Sequence, residues 1–229
     1  MMVRSSFMAG LLAAVAGGAH ADVTFLSQAR EITALTSFDG NAVSRQAADF
    51  GLFAEVASAS VEFPLSGGGA GVNTADSTIN CILDPNAIRA FGSLGASGGI
   101  GLVGGRPEAV FGEAAATILV SFEVTQNTPF SLIVSPRPST NPNDEFQVEL
   151  SALVGGNENA EIRIDERDAP QWINHSGVLT PGTYEILYRV ELTGDAASEA
   201  GEYTFNFTIP APGAGLVFAG LPLLMRRRR

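Results

Sequence analysis

The chain has 229 residues, 45% of them hydrophobic, with 24 carboxylates, 13 arginines, no lysine and a formal net charge of −11. That acidity repels phosphate backbones and sets nucleic acid aside as a partner. A single cysteine, Cys81, leaves no internal disulfide, so the fold must be held by its packed core.

The N-terminus reads as an export signal. Arg4 supplies the positive start, Phe7 to Val15 the apolar stretch, and Gly17-Gly18-Ala19-His20-Ala21 a small-residue cleavage context. Ala19 and Ala21 fit the A-x-A pattern, which places the mature start at Asp22 and makes signal peptidase a partner. A retained N-terminal helix is the alternative, but the apolar stretch is short for a bilayer span. The body from 22 to 209 is expected to be one domain. Its eight arginines against 24 carboxylates leave −16, a charge suited to solubility, divalent cations or a polysaccharide setting.

Val23 to Leu26, Glu31 to Leu35 and Phe50 to Phe63 have strand character without strict alternation. Ala47 to Ser60 is open to a helical reading. Gly67-Gly68-Gly69, Gly95, Gly98-Gly99, Gly101 and Gly104-Gly105, mixed with Ser and Ala, predict a loop-heavy N-terminal half. Cys81, beside Ile82 and Leu83, reads as a buried small hydrophobe or as a thiol that pairs with another chain.

From Thr117 onward the alternation is plain. Ile118, Val120, Phe122 and Val124 share one face, then Phe130, Leu132 and Val134, and then Phe146, Val148 and Leu150. Ile162 and Ile164, then Tyr184 to Val190, then Tyr203 to Ile209 repeat the pattern. Each run predicts a strand with one core face and one wet face. Asn141-Pro142-Asn143-Asp144, Gly155-Gly156-Asn157, Pro181-Gly182 and Gly194-Asp195 supply turn chemistry between them. The expected fold is all-β, an antiparallel sandwich of jelly-roll type.

After Ile209 come Pro210, Ala211 and Pro212, an apolar segment from Ala214 to Met225 expected as a short helix, and Arg226, Arg227, Arg228 and Arg229. With the export signal and the β-rich body, this tail (residues 210–229) resembles the sorting signal of the PEP-CTERM exported bacterial proteins. In that family an exosortase recognises and processes a Pro-Glu-Pro motif followed by a transmembrane-like stretch and a basic end. Ala211 stands where the family has glutamate, and Pro222 interrupts the apolar run. The resemblance implies an exosortase-like processing enzyme as a partner. Twelve apolar residues reach only about 18 Å as a helix against a hydrocarbon core of ~30 Å. Four arginines stay on the cytoplasmic side. The tail therefore reads as a temporary membrane tether that leaves the body at the cell surface or in the extracellular matrix.

A catalytic constellation is not found: the body holds one histidine, His175, and lacks a nucleophile elbow, a His-pair metal motif and a P-loop. The chain is accordingly read as no enzyme, with a structural or adhesive role. The alternative is a secreted glycan- or calcium-binding module, and a secreted hydrolase stands last. Calcium, which takes six to eight oxygens, finds its candidates in Asp144, Glu145, Asp165, Glu166 and Asp168, which read equally as a solvated acidic rim. Trp172 is the glycan candidate if exposed; a core-edge Trp is the competing account.

Overall fold

The computed structural model describes residues 23–38, 40–65, 67–103, 105–135, 144–154, 162–165, 172–194 and 199–209. Ala21–Ala211 forms one compact unit, and every regular element described in it is a strand. One sheet, sheet A, contains β1 (Val23–Thr36), β2 (Ala42–Gln46), β8 (Gly112–Val124), β10 (Glu145–Val154), β11 (Ile162–Asp165) and β13 (Gly182–Gly194), in the order β11-β10-β13-β8-β1-β2. Sheet B contains β3 (Phe53–Pro64), β4 (Ala70–Asp84), β5 (Ala87–Ala96), β9 (Thr128–Ser135), β12 (Ile173–Leu179) and β14 (Glu199–Thr208), in the order β12-β9-β14-β5-β4-β3. A hairpin of β6 (Gly99–Val103) and β7 (Arg106–Val110) forms a small third sheet, joined to the end of β3 by a Leu65–Gly101 bridge. All pairings are antiparallel. No helix among the described residues is long and apolar enough to cross a membrane.

The two sheets face one another, and the packing between them changes along the strands. At one end the core is aromatic. Phe122 of β8 lies 5.8 Å from Tyr184 and 5.5 Å from Phe207, and Phe130 lies 5.8 Å from Phe207. Further along, Tyr188 packs on Phe205 at 5.0 Å and Tyr203 at 5.8 Å. At the other end the buried positions are Ala34, Ala57, Ala59, Ala75, Ala96, Ala114 and Ala116. There the sheets come within hydrogen-bonding reach: Ser77 Oγ donates to the Ala115 carbonyl (2.9 Å), and Gly112 N–H to the Ser97 carbonyl (2.8 Å). A Cβ on Gly194 would stand 2.5 Å from the Ala96 carbonyl group, so only glycine fits that approach. The sandwich is a wedge, wide where rings fill it and closed where alanine and glycine line it.

The strands predicted from alternation are present as β8, β9, β10, β11, β13 and β14. The N-terminal half differs from expectation. It is not loop-heavy but carries β1 to β7, and the segment from Ala47 passes through a bend into β3 rather than into a helix. The reason is the wedge: at its narrow end small residues serve as core. Ala57 and Ala59 face inward between exposed Val56, Ser58 and Ser60, a true alternation with almost no hydropathy contrast. The expected C-terminal helix lies outside the described residues.

One edge of the core is closed by an arginine. Arg30 of β1 is 1% exposed. Its guanidinium donates to Gln28 Oε1 (3.0 Å) and to the carbonyls of Gly51 (2.8 Å), Cys81 (3.2 Å) and Asp49, and it sits 5.7 Å from the Phe53 ring centre. A planar fork of donors meets several backbone acceptors at once, which a lysine could not do. Cys81 is fully buried beside it, as a small hydrophobe. Burial pushes its thiol pKa up, with Arg30 opposing.

Candidate functional site

The outer faces of the two sheets differ in chemistry. On sheet A, Glu145, Glu191, Glu113 and Glu149 stand on neighbouring strands, with Arg189 among them. Arg189 pairs with Glu191 at 2.6 Å and with Glu145 at 3.7 Å, and its hydrogen bond to Glu191 raises its pKa further. Burial and then the charge of Glu191 raise the Glu113 carboxyl. This face is an acidic surface on which Arg189 offsets only part of the carboxylate charge.

Sheet B presents hydroxyls, amides and an exposed ring, among exposed aliphatic side chains such as Val56, Val72 and Ile82 and the charges of Asp76, Arg89 and Glu202. Its register sets Ser135, Thr204, Phe91, Asn80 and Ala54 side by side across β9, β14, β5, β4 and β3. The next row is Glu202, Ser93, Thr78 and Val56. All of these residues except Ser135 line a groove of about 990 Å³, with Arg45 and Glu55 at its side, where the β2 and β3 edges adjoin. Phe91 is 57% exposed in it. Phe91 is at an outward strand position, and its neighbours Ala90 and Gly92 serve the core side.

The groove floor carries side-chain bonds beside the β4–β5 ladder. Ser93 N–H donates to Thr78 Oγ1 (2.9 Å), and the Thr78 carbonyl accepts from the Tyr203 hydroxyl (2.8 Å). Tyr203 reaches it because residue 92, its partner across the β5–β14 pair, is glycine. A Cβ at Gly92 would lie 2.6 Å from Tyr203 Oη and inside contact distance of the Thr78 carbonyl. Burial raises the Tyr203 hydroxyl pKa strongly, so it stays a donor. Thr78 and Ser93 hydroxyls, 2.9 Å apart, are left on the outer surface above it.

The predicted site residues fall as follows. Trp172 is 64% exposed immediately before β12, which overturns the core-edge account. His175 is exposed on β12, with its ring 6.2 Å from Phe130. Of the calcium candidates, Asp144 is buried, with Oδ1 accepting from Thr193 N–H (2.7 Å), and Glu145 faces Arg189. The side chain of Asp165 and all of Glu166 and Asp168 lie outside the described residues, as do Ala19, Ala21, Pro210 to Pro212 and Arg226 to Arg229. Among the described residues no group of three or more acidic, His or Cys side chains could hold a metal ion. The groove residues Phe91, Thr78, Gly92 and Tyr203 were not legible as a site in the sequence. The available signal was a phenylalanine at the polar parity of a Gly/Ser-rich run.

No known family model matches the chain, and no curated protein matches it. A solved structure to which it is similar is that of TmCBM61 in complex with β-1,4-galactotriose, at 13% identity, covering 69% of this chain and 87% of that one. The TM-score is 0.23. A likeness of that size carries nothing about this chain's ligand.

Proposed function

We propose that the mature chain is an exported adhesive module that holds a neutral glycan on the outer face of sheet B, at the cell surface or in the surrounding matrix. The observation that supports this is Phe91, exposed in a groove that offers Thr, Ser and Asn beside it, with Arg45, Glu55 and Glu202 also in its lining. A sugar ring offers an apolar C–H face that packs on an aromatic, and hydroxyls that exchange hydrogen bonds with those side chains. The acidic body disfavours anionic polymers, so an uncharged chain is the matching partner. The role assigned is binding, without catalysis.

The test is retention of the purified protein and of its Phe91→Ala variant in affinity gels cast with neutral polysaccharides and, separately, with a uronate polymer. Retardation by a neutral polymer that is lost in the variant is the expected result. Equal migration of both proteins in every gel removes the reading.

Export and tail processing belong to the same proposal. Signal peptidase acts after Ala21, and an exosortase-like enzyme acts at Pro210-Ala211-Pro212. The intact mass of the protein recovered from its producing cells tests this. A mass ending near Pro212 fits processing, and one that includes Arg229 refutes it.

A further inference from the structure

The groove does not stand alone on its face. β12 is the edge strand of sheet B, and its register begins with Ile173 opposite Val134. Ile173 is buried, so the preceding residue, Trp172, points to the outer side, and it is exposed. Continuing the register by one residue sets Trp172 opposite Ser135. Ser135 is opposite Thr204, and Thr204 is opposite Phe91. Two exposed rings thus share one cross-strand row, separated by β9 and β14. Three strand spacings put them about 14 Å apart. Between them lie Ser135 and Thr204, both neutral hydroxyls.

Resting on the glycan reading above, we infer that the ligand is an extended neutral polysaccharide lying across the strands, with sugars stacked on both Phe91 and Trp172 and the intervening hydroxyls serving the sugars between. A single sugar ring cannot reach both aromatics; only a chain of several linked sugars can. Rings held on strands of a packed sheet are fixed in spacing, so a chain of matching pitch gains from the second ring without ordering the protein. Charge selects the same ligand: this row has no ionisable side chain from Trp172 to Ala54, in contrast with the carboxylates of the opposite sheet.

Trp172 is the chain's single tryptophan, so intrinsic fluorescence reports on one end of the row alone. The experiment is fluorescence titration, with calorimetry in parallel, using the cello-, malto- and galacto-oligosaccharide series from disaccharide to hexasaccharide. It compares the wild-type chain with Phe91→Ala and Trp172→Ala. Expected for at least one series is affinity that rises with length, a fluorescence change only with the longer members, and about a tenfold loss for each variant with the hexasaccharide. In Trp172→Ala the length advantage disappears while disaccharide affinity is kept. Length-independent affinity, or a Trp172→Ala variant that binds the hexasaccharide as wild type does, overturns the extended site and leaves Phe91 binding in place. Absence of binding by all three series overturns this inference. Gel retardation by a neutral polysaccharide then decides separately whether the glycan reading survives.

Discussion

Replacing Arg30 tests how the lateral edge of the sandwich is held. The Arg30→Met side chain keeps most of the apolar stem and removes the guanidinium. Of the four acceptors it serves, the carbonyls of Asp49 and Gly51 belong to exposed residues and can turn to water, as can the Gln28 amide. The Cys81 carbonyl belongs to a fully buried residue and cannot. One orphaned buried acceptor costs about 1–3 kcal/mol, and the lost contact with Phe53 adds roughly 0.5–2 kcal/mol. The expected loss is therefore about 1.5–5 kcal/mol, a large share of a domain's ~5–15 kcal/mol. Equilibrium urea unfolding followed by far-ultraviolet circular dichroism reads it: with a slope of about 2 kcal/mol per molar, the midpoint falls by roughly 0.8–2.5 M. Arg30→Lys is expected to do no better than Met, because one ammonium cannot reach acceptors spread around a planar fork. A loss under about 1 kcal/mol for Met at unchanged slope refutes the reasoning and means that water replaces the guanidinium at no cost.

Gly92→Ala should destabilise by roughly 2–4 kcal/mol through steric overlap and loss of the Tyr203–Thr78 hydrogen bond. Its cost combined with Tyr203→Phe should be less than additive in the same urea assay. Alkali should unfold the protein from about pH 10 upward. Tyr188 and Tyr203 are both raised above their ordinary 10.0 by burial, so above that pH the unfolded chain sheds protons that the folded one keeps. Stability then falls by up to about 1.4 kcal/mol per pH unit for each tyrosine. Unfolding midpoints measured from pH 8 to 11 check this, and a flat profile refutes it. Tyr188→Phe should lower that slope and leave stability at pH 7 equal or higher, since Tyr188 Oη is buried with no hydrogen-bond partner among the described residues. Asp144→Asn should cost less than Asp144→Ala, which removes the acceptor of Thr193 N–H for about 1 kcal/mol, and millimolar calcium should shift neither melting temperature.

The wide end of the wedge could be read from the sequence because its core positions are large. Phe122, Tyr184, Phe205 and Phe207 stand out against Glu123, Glu185, Thr204 and Asn206, and the period of two declares itself. The narrow end could not, because a core of Ala57, Ala59, Ala75 and Ala96 differs little in hydropathy from a surface of Ser58, Ser60 and Gly95. Of the glycines that suggest loops, Gly99 and Gly101 lie in β6 against the Phe63 ring; elsewhere Gly112 and Gly194 sit where the sheets touch, and Gly92 makes room for a tyrosine hydroxyl. The site was hidden for a related reason. Phe91 and Asn80 are eleven residues apart in sequence, and Thr204 is more than a hundred further on, so only sheet order brings them together. Trp172 was visible as a candidate, but nothing in its neighbours shows that it shares a row with Phe91.

If the proposed adhesive role holds, β14 has a mechanical consequence. It supplies Thr204 to the ligand row and Tyr203 to the groove floor, and it is also the last strand before the tail. A pull between a bound glycan and a held C-terminus would enter through the strands that carry the row, β5 and β14 with the start of β12, and leave through β14. β14 is bonded on both sides, to β5 and to β9. Tension along it meets those bonds broadside, and they must yield together in shear rather than open one after another. The load would bypass the alanine-lined end of the wedge.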